Sequence, residues 1–309
     1  MRNAGEVMQW GEEVCIVSGD NRAWPEDPKT VIELWCRSRS GHSSMLLVNG
    51  LRPYVEISDP KSEGSPEEPD YLSKVSSVRG VQGEPESSGM KLSQDGVVRP
   101  HYRVYVRDTT KVRSVRKSLS EQGWRVTSAD ILFFQRLLLD LDLGPHIAME
   151  GEVLWAGERA PEEAKTPENN NRETAEKMIQ AVGGSGIYPL DMVVSCDLSG
   201  LSSAEPFPAP FVTMSFDLET SITDNTILCA AAVVDRCGER KEYPITGAET
   251  EILEKLTEVV RTEDPDFITG YNIDNFDLPR MEERSESVSY THLRAHETLR
   301  YLVCRLLLE

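Results

Sequence analysis

The sequence lacks several features that would place it in a familiar class of protein. It has no run of about 18 uncharged apolar residues, so we expect no membrane-spanning helix. Its first residues lack the apolar core of a secretion signal, which favours a cytoplasmic location. The six cysteines form no C-x-x-C pair, and this argues against a zinc ribbon or a disulfide framework. We therefore expect a soluble protein with reduced thiols and no membrane partner.

Positive charge is also scarce, with 33 Lys and Arg against 52 Asp and Glu and a net charge of −19 over 309 residues. Such a chain does not coat nucleic acid indiscriminately. One segment, 99–136, departs from this balance, with nine basic residues against three acidic ones. Two interpretations of this segment remain open: a solvated helix surface, or a contact with DNA phosphates that uses exposed cations such as Arg113, Arg116 and Lys117.

The stretch FVTMSFDLET at 211–220 predicts a strand with two different faces. Side chains alternate along a strand, so Val212, Met214, Phe216 and Leu218 share one face. Asp217 and Glu219 share the other face. Two carboxylates at fixed spacing provide the hard oxygen ligands that Mg²⁺ or Mn²⁺ prefers. The pair alone is weak, because an acidic chain contains many such spacings.

A second motif, GYNIDNFD at 270–277, follows a strand-like segment and brings a third carboxylate, Asp277. FDLET followed by YNIDNFDLP resembles the first and second exonuclease motifs of the family B DNA polymerases, D-x-E and Y-N-x-x-x-F-D. The helix-and-strand pattern between the motifs is similar to that of archaeal members. Upstream, DILFFQR and RPYVEI extend the resemblance over most of the chain, with long gaps.

The resemblance implies a proofreading 3′→5′ exonuclease that uses two Mg²⁺ or Mn²⁺ ions, about 3.5–4 Å apart. Asp217 would bridge the ions, Glu219 would bind one of them, and Asp277 would complete the shell of the other. Asn272 would shape the motif's loop. Tyr271 and Phe276 would either pack internally or stack on a frayed 3′ base. Together with Asn272 they are candidates for DNA contact.

The resemblance also implies an order of domains. We expect an α+β N-terminal, template-sensing domain at 1–151, containing a mobile insertion at 58–98, where Ser, Glu, Pro and Gly dominate. A linker at 152–210 would lead to an α/β ribonuclease-H-like exonuclease domain at 211–287, truncated at its end. In archaeal relatives the first domain captures template uracil, and Pro53 and Arg136 match pocket positions. For Arg136 the alternative is an ordinary charge on a helix surface.

Two family features are missing downstream of Asp277: the third exonuclease motif, a Tyr three residues before an Asp, and the polymerase palm motifs. From about residue 288 the sequence resembles a translated sequencing adaptor, so we interpret 288–309 as a non-native tail. A contact with a sliding clamp would require the missing C-terminal region.

We therefore predict an N-terminal fragment of a DNA-directed DNA polymerase that contributes template-strand binding and part of a two-metal exonuclease site. The fragment should have no polymerase activity and little exonuclease activity. The alternatives are a non-catalytic DNA-binding accessory protein of replication and a free-standing 3′→5′ exonuclease.

Overall fold

The computed structural model describes residues 8–23, 30–61, 72–93, 95–169 and 190–288. These residues form three β-sheets and four α-helices, together with short 3-10 helices. None of the described helices combines the length and the hydropathy that a membrane crossing requires. The predicted tail, except for Val288, lies outside the described residues, as does 170–189 of the predicted linker.

The first sheet closes on itself as a barrel. Its strands are β1 (Gln9–Ala23), β2 (Thr30–Ser38), β3 (Ser43–Asn49), β8 (His146–Ala156) and β9 (Met192–Asp197), with β10 (Leu201–Ser203) added beside β8. β1 pairs with both β2 and β8, so the order β1-β2-β3-β9-β8 returns to β1. Only β3 and β9 are parallel to each other. Closure removes the open sheet edges that promote aggregation.

Alternating side chains fill this barrel. Ile32, Leu34, Leu46 and Val48 are fully buried inside it. The barrel corrects the expected extent of the linker. β9 and β10 lie within the predicted linker 152–210, so the first part of the fold continues to about residue 203. The Pro- and Asn-rich stretch that suggested a linker precedes strands whose alternation is short and easily overlooked.

The second sheet is inserted between β3 and β8 and has the order β5-β6-β4-β7. Its elements are β4 (Tyr54–Ser58), β5 (Glu86–Leu92), β6 (Val98–Tyr105), α1 (Val112–Glu121), β7 (Arg125–Thr127) and α2 (Phe133–Asp140). Val112, Val115 and Leu119 form the buried stripe of α1, as their spacing predicts.

The segment RPYVEI contains β4, which pairs with β6 and β7 in the second sheet. One expectation for this region is corrected. The range 58–98 was expected to be a mobile insertion. Residues 62–71 and 94 lie outside the described residues, but the described remainder contains a 3-10 helix at Leu72–Ser77 and the strand β5. Leu72, Val75 and Val78 are buried against α1 and β6, which explains why this polar segment folds.

The third sheet has the order β13-β12-β11-β14. Its elements are β11 (Val212–Thr220), β12 (Ile227–Arg236), β13 (Glu239–Thr246), α3 (Glu249–Glu263), β14 (Phe267–Thr269) and α4 (Asp277–Ser287). The three antiparallel strands, the crossover helix and the parallel fourth strand follow the predicted pattern. β12 is not fully buried, because Leu228 and Val233 are exposed.

A buried ion pair connects the barrel to the third sheet. Arg37 on β2 donates to Oδ1 of Asp266 through Nε, at 2.9 Å, and through Nη2. Oδ2 of Asp266 accepts a hydrogen bond from Val212 N at 2.8 Å, where β11 begins. The two side chains are only 8% and 7% exposed. One barrel residue therefore fixes the start of the strand that carries Asp217 and Glu219.

Candidate exonuclease-type carboxylate site

The carboxylates of β11 lie on the solvent face of the third sheet. One face of β11 is buried against α3 through Met214, Phe216 and Leu218. The opposite face is exposed and carries Asp217 and Glu219. Asp217 lies opposite Ala231 on β12, and Glu219 lies opposite Cys229. The small neighbour on β12 leaves the carboxylate of Asp217 open to solvent. The predicted alternation is confirmed.

Gly270 lets the second motif approach β11 closely. β14 runs parallel to β11 as far as the pair Thr269 and Ser215, and the chain then leaves the sheet. A Cβ atom added at Gly270 would lie 2.6 Å from the carbonyl oxygen of Phe216, closer than any side chain allows. A glycine directly after a strand is a known sign of close backbone approach. Gly270 directly after the strand was thus a recognisable signal in the sequence for this close approach.

The loop 271–276 then turns the chain into α4. Asn272 has a φ of 55°, and its carbonyl oxygen accepts hydrogen bonds from Asn275 N at 3.1 Å and Phe276 N at 3.0 Å. Its side-chain oxygen accepts another from Asn275 Nδ2 at 3.1 Å. These contacts support the expectation that Asn272 shapes the loop. Ile273 is buried and anchors the turn in the core of the third sheet.

Asp277 is brought directly to the edge of β11. Its side chain is buried, and Oδ1 accepts a hydrogen bond from Leu218 N at 3.1 Å, between Asp217 and Glu219 in sequence. Burial raises the pKa of the Asp277 carboxyl above its usual range. The hydrogen bond from Leu218 lowers this pKa, and the negative charge of Asp217 raises it further. Asp217 and Asp277 are therefore electrostatic neighbours.

The donor chemistry suits a hard divalent cation, because the set consists of carboxylate oxygens and two members repel each other. The geometry is less complete. Among the described residues, no group of three His, Cys, Asp or Glu side chains is arranged to hold a metal ion. The structure brings Asp277 to β11 as an electrostatic neighbour of Asp217, and Glu219 lies two residues further along the same strand.

The two aromatic residues of the motif differ in exposure. Tyr271 is 93% exposed and Phe276 is 40% exposed. Internal packing, one of the two alternatives for these residues, therefore does not describe Tyr271. A ring that projects into solvent beside an acidic site is available for stacking on a base.

The basic segment 99–136 does not form one surface. Arg99 is buried and pairs with Asp95, and Arg125 pairs with the same carboxylate. Arg103 lies near Glu56 and Asp140. The exposed cations lie mainly on α1 and just before it; they are Arg107, Lys111, Arg113, Arg116 and Lys117. A contact of this segment with DNA phosphates would therefore involve α1 and the residues just before it.

Arg136 is buried, so its interpretation as an ordinary surface charge is wrong. Its guanidinium donates to the carbonyl oxygens of Tyr54 and Ser128 and lies 4.3 Å from the centre of the Tyr54 ring. Burial lowers the pKa of Arg136. Pro53, beside Tyr54, is buried as well. A cavity of about 170 Å³ is lined in part by Arg52, Tyr54, Tyr105 and Asp140, whereas Pro53 and Arg136 are not among its lining residues.

Comparisons with known proteins agree with this architecture. The profile of the family described as DNA polymerase family B, exonuclease domain, matches residues 244–300. The match continues past residue 287, where the family resemblance was expected to end.

Among curated proteins, a DNA polymerase of Archaeoglobus fulgidus is 30% identical over 188 residues, which are 60% of this chain and 20% of the relative. A DNA polymerase delta catalytic subunit of Oryza sativa is 24% identical over 84% of this chain and 26% of the relative.

The solved structure of the family B DNA polymerase from Pyrobaculum calidifontis matches with a TM-score of 0.61. It covers 90% of this chain and 32% of that chain at 19% identity, so it supports the fold. The chain spans between a fifth and a third of the length of these three proteins.

Proposed function

We propose that this chain, which is similar to family B DNA polymerases, supplies the template-sensing part of such an enzyme and the first half of its 3′→5′ exonuclease. Residues 211–287 would be the start of a ribonuclease-H-like domain, which the order β13-β12-β11-β14 supports. Residues up to about 203 would form the α+β part. The observation that carries the proposal is the contact between Asp277 and Leu218 N at the edge of β11.

In this proposal, Asp217, Glu219 and Asp277 would hold divalent ions, Mg²⁺ or Mn²⁺. When bound, such ions activate water and stabilise the leaving 3′ oxygen of a phosphodiester. The protein's part is to place carboxylates at fixed positions, two on a paired strand and one at the first residue of α4. Tyr271 and Phe276 would contact the terminal bases of a single strand. Four further properties stay predictions: the complete exonuclease reaction, DNA synthesis, contact with a sliding clamp and a cytoplasmic location.

Metal binding tests the carboxylate site directly. We expect the chain to bind Mn²⁺, and we expect Asp217→Asn and Asp277→Asn each to weaken binding by at least about 10-fold, the smallest loss typical of disturbed metal sites. Titration followed by electron paramagnetic resonance of free Mn²⁺ measures this affinity. Asp235→Asn, an exposed acid on β12 that pairs with Arg240, is the control and should leave the affinity unchanged.

A second candidate is a non-catalytic, DNA-binding accessory protein. The specific observation in its favour is that no described group of three acidic, His or Cys side chains is arranged as a metal site. The same titration separates the candidates. If the chain does not bind Mn²⁺, or if it still binds Mn²⁺ after both substitutions, the result would support the accessory protein and contradict the exonuclease proposal.

Contact with single-stranded DNA tests the basic face of α1. Replacing Arg113, Arg116 and Lys117 together by Gln should make the salt dependence of binding weaker. The slope of the logarithm of the binding constant against log salt should become about 2 less negative, since each phosphate contact on a single strand contributes about −0.7. Fluorescence anisotropy with a labelled oligonucleotide measures this slope. A matched triple variant at Arg240, Lys255 and Arg261, exposed on the third sheet and α3, should keep it. Equal slopes for both triple variants would contradict the assignment.

For the template-uracil pocket, we propose that Arg136 supports the wall formed by Tyr54. Its hydrogen bonds go to backbone carbonyls, and its guanidinium stacks on the Tyr54 ring. Pro53 would restrict the backbone at the same wall. Preferential binding of uracil-containing over thymine-containing oligonucleotides, lost in Arg136→Met, is the expected result.

A further inference from the structure

We propose that Arg284 and Glu249 are a positioning pair that holds Asp277 against the edge of β11. This inference rests on the proposed exonuclease site, because it assigns a role toward the same carboxylates. Arg284 is a residue of α4, the helix that begins at Asp277, and Glu249 is the first residue of α3.

The contact between the pair is bidentate and largely shielded from solvent. Nε of Arg284 donates to Oε1 of Glu249 at 2.7 Å, and Nη2 donates to Oε2 at 2.6 Å. The side chains are 18% and 9% exposed. A planar guanidinium bound through two donors fixes orientation as well as distance. The pair therefore restrains both the position of α4 and its rotation about the helix axis.

The spacing on α4 carries this restraint to Asp277. Seven residues separate Asp277 from Arg284, which is about two helical turns, so the two side chains lie on nearly the same face. Other anchors of α4 are few: its buried side chains are Asp277, Met281 and Ser285. Met281 is the single large apolar member of that set. Leu278 and Val288 pack against the same core but are only partly buried. Removing the ion pair would leave α4 held mainly by these few apolar contacts.

The pair also contacts the hairpin that follows Glu219. Oε1 of Glu249 accepts a hydrogen bond from Ile227 N at 2.8 Å, where β12 begins. Nη1 of Arg284 lies 3.5 Å from the carbonyl oxygen of Asp224 in the turn between β11 and β12. The ion pair of Arg284 and Glu249 therefore contacts both α4, which carries Asp277, and the turn that follows Glu219. It makes these contacts without touching the carboxylates of Glu219 or Asp277.

Mn²⁺ affinity gives a test in which the sign of the effect is decisive. Removal of a positive charge near a cation site should, by charge alone, tighten binding. We expect Arg284→Gln to weaken Mn²⁺ binding about 10-fold, at the lower end of what changes around metal ligands cost. Arg284→Lys, which keeps the charge but not the two-donor geometry, should fall between this variant and the unaltered chain.

Arg280→Gln is the matched control. Arg280 lies on the same helix, and its side chain is 19% exposed. Among the described residues its ion-pair partner is Glu283 of that helix, so it makes no ion pair with another element. Its substitution should leave Mn²⁺ affinity equal or slightly tighter. Arg284→Gln with an affinity equal to or tighter than that of Arg280→Gln would overturn the proposal.

Amide hydrogen exchange reports the position of Asp277 without any metal. Arg284→Gln should speed exchange at Leu218 N, whose proton is bound by Asp277, by at least as large a factor as the loss of Mn²⁺ affinity. The other amides of β11 should keep their rates. Equal acceleration along the whole strand would mean general destabilisation and would overturn the positioning role. If Asp217→Asn and Asp277→Asn leave Mn²⁺ affinity unchanged, the exonuclease proposal fails, and exchange at Leu218 alone then decides the role of the pair.

Discussion

Replacing Asp266 by alanine is expected to destabilise the folded chain by about 3–5 kcal/mol, the usual effect of removing one partner of a buried ion pair. The loss has two physical sources. The guanidinium of Arg37 stays buried with its charge uncompensated, and Val212 N loses its acceptor at the start of β11. Urea unfolding, followed by the tryptophan fluorescence of the barrel, measures the shift in midpoint.

The control for this prediction is Asp235→Ala. Asp235 pairs with Arg240 at 2.8 Å, but the two side chains are 34% and 75% exposed. An exposed pair contributes only about 0–1 kcal/mol, so this variant should unfold close to the unaltered chain. Comparable losses in the two variants would show that the pair between the barrel and the third sheet is not a special contact.

Gly270→Ala should cost about 3 kcal/mol, the upper end for an overpacked core, because the clash is with a backbone atom that cannot rotate away. The new Cβ would lie 2.6 Å from the Phe216 carbonyl oxygen and 3.3–3.4 Å from Ile273 atoms. β14 and the loop must therefore shift away from β11. Asp277 follows that loop, so the hydrogen bond from Leu218 N should weaken as well.

Gly144→Ala provides the comparison. No atom lies within 4 Å of a Cβ built at Gly144, so the substitution should be neutral, or stabilising by about 0.4–1 kcal/mol through the unfolded state. Thermal unfolding gives the free-energy change, and exchange at Leu218 gives the local effect. If Gly270→Ala unfolds like Gly144→Ala, the close approach to Phe216 is not required.

The sequence predicted the third sheet well because its pairings are mostly local. β11, β12 and β13 are consecutive hairpin strands, and α3 has a regular apolar stripe. Each element can be recognised from its own residues. The position of Asp277 followed from the resemblance of its motif, but the hydrogen bond to Leu218 N could not be predicted from spacing alone.

The barrel was predicted poorly because its contacts are distant in sequence. β1 was missed altogether, and β9 was assigned to a linker, since neither shows long alternation. The ion pair of Arg37 with Asp266 joins residues 229 positions apart. Nothing in either local pattern indicates the partner. The burial of Arg136 was missed for the same reason, because its acceptors are backbone carbonyls of other elements.

The insertion of the second sheet inside the barrel has a consequence for the nascent chain. Ser43 and Asp191, which meet where β3 pairs with β9, are 148 positions apart. At about 5–20 residues per second, roughly 7–30 seconds pass on the ribosome between the synthesis of β3 and that of β9. During this interval the backbone N–H and C=O groups of β3 that later pair with β9 have no partner strand. The inserted sheet can fold during this time, because its strand pairings are local. A chaperone would therefore be most useful for protecting β3 until β9 is synthesised and the barrel closes.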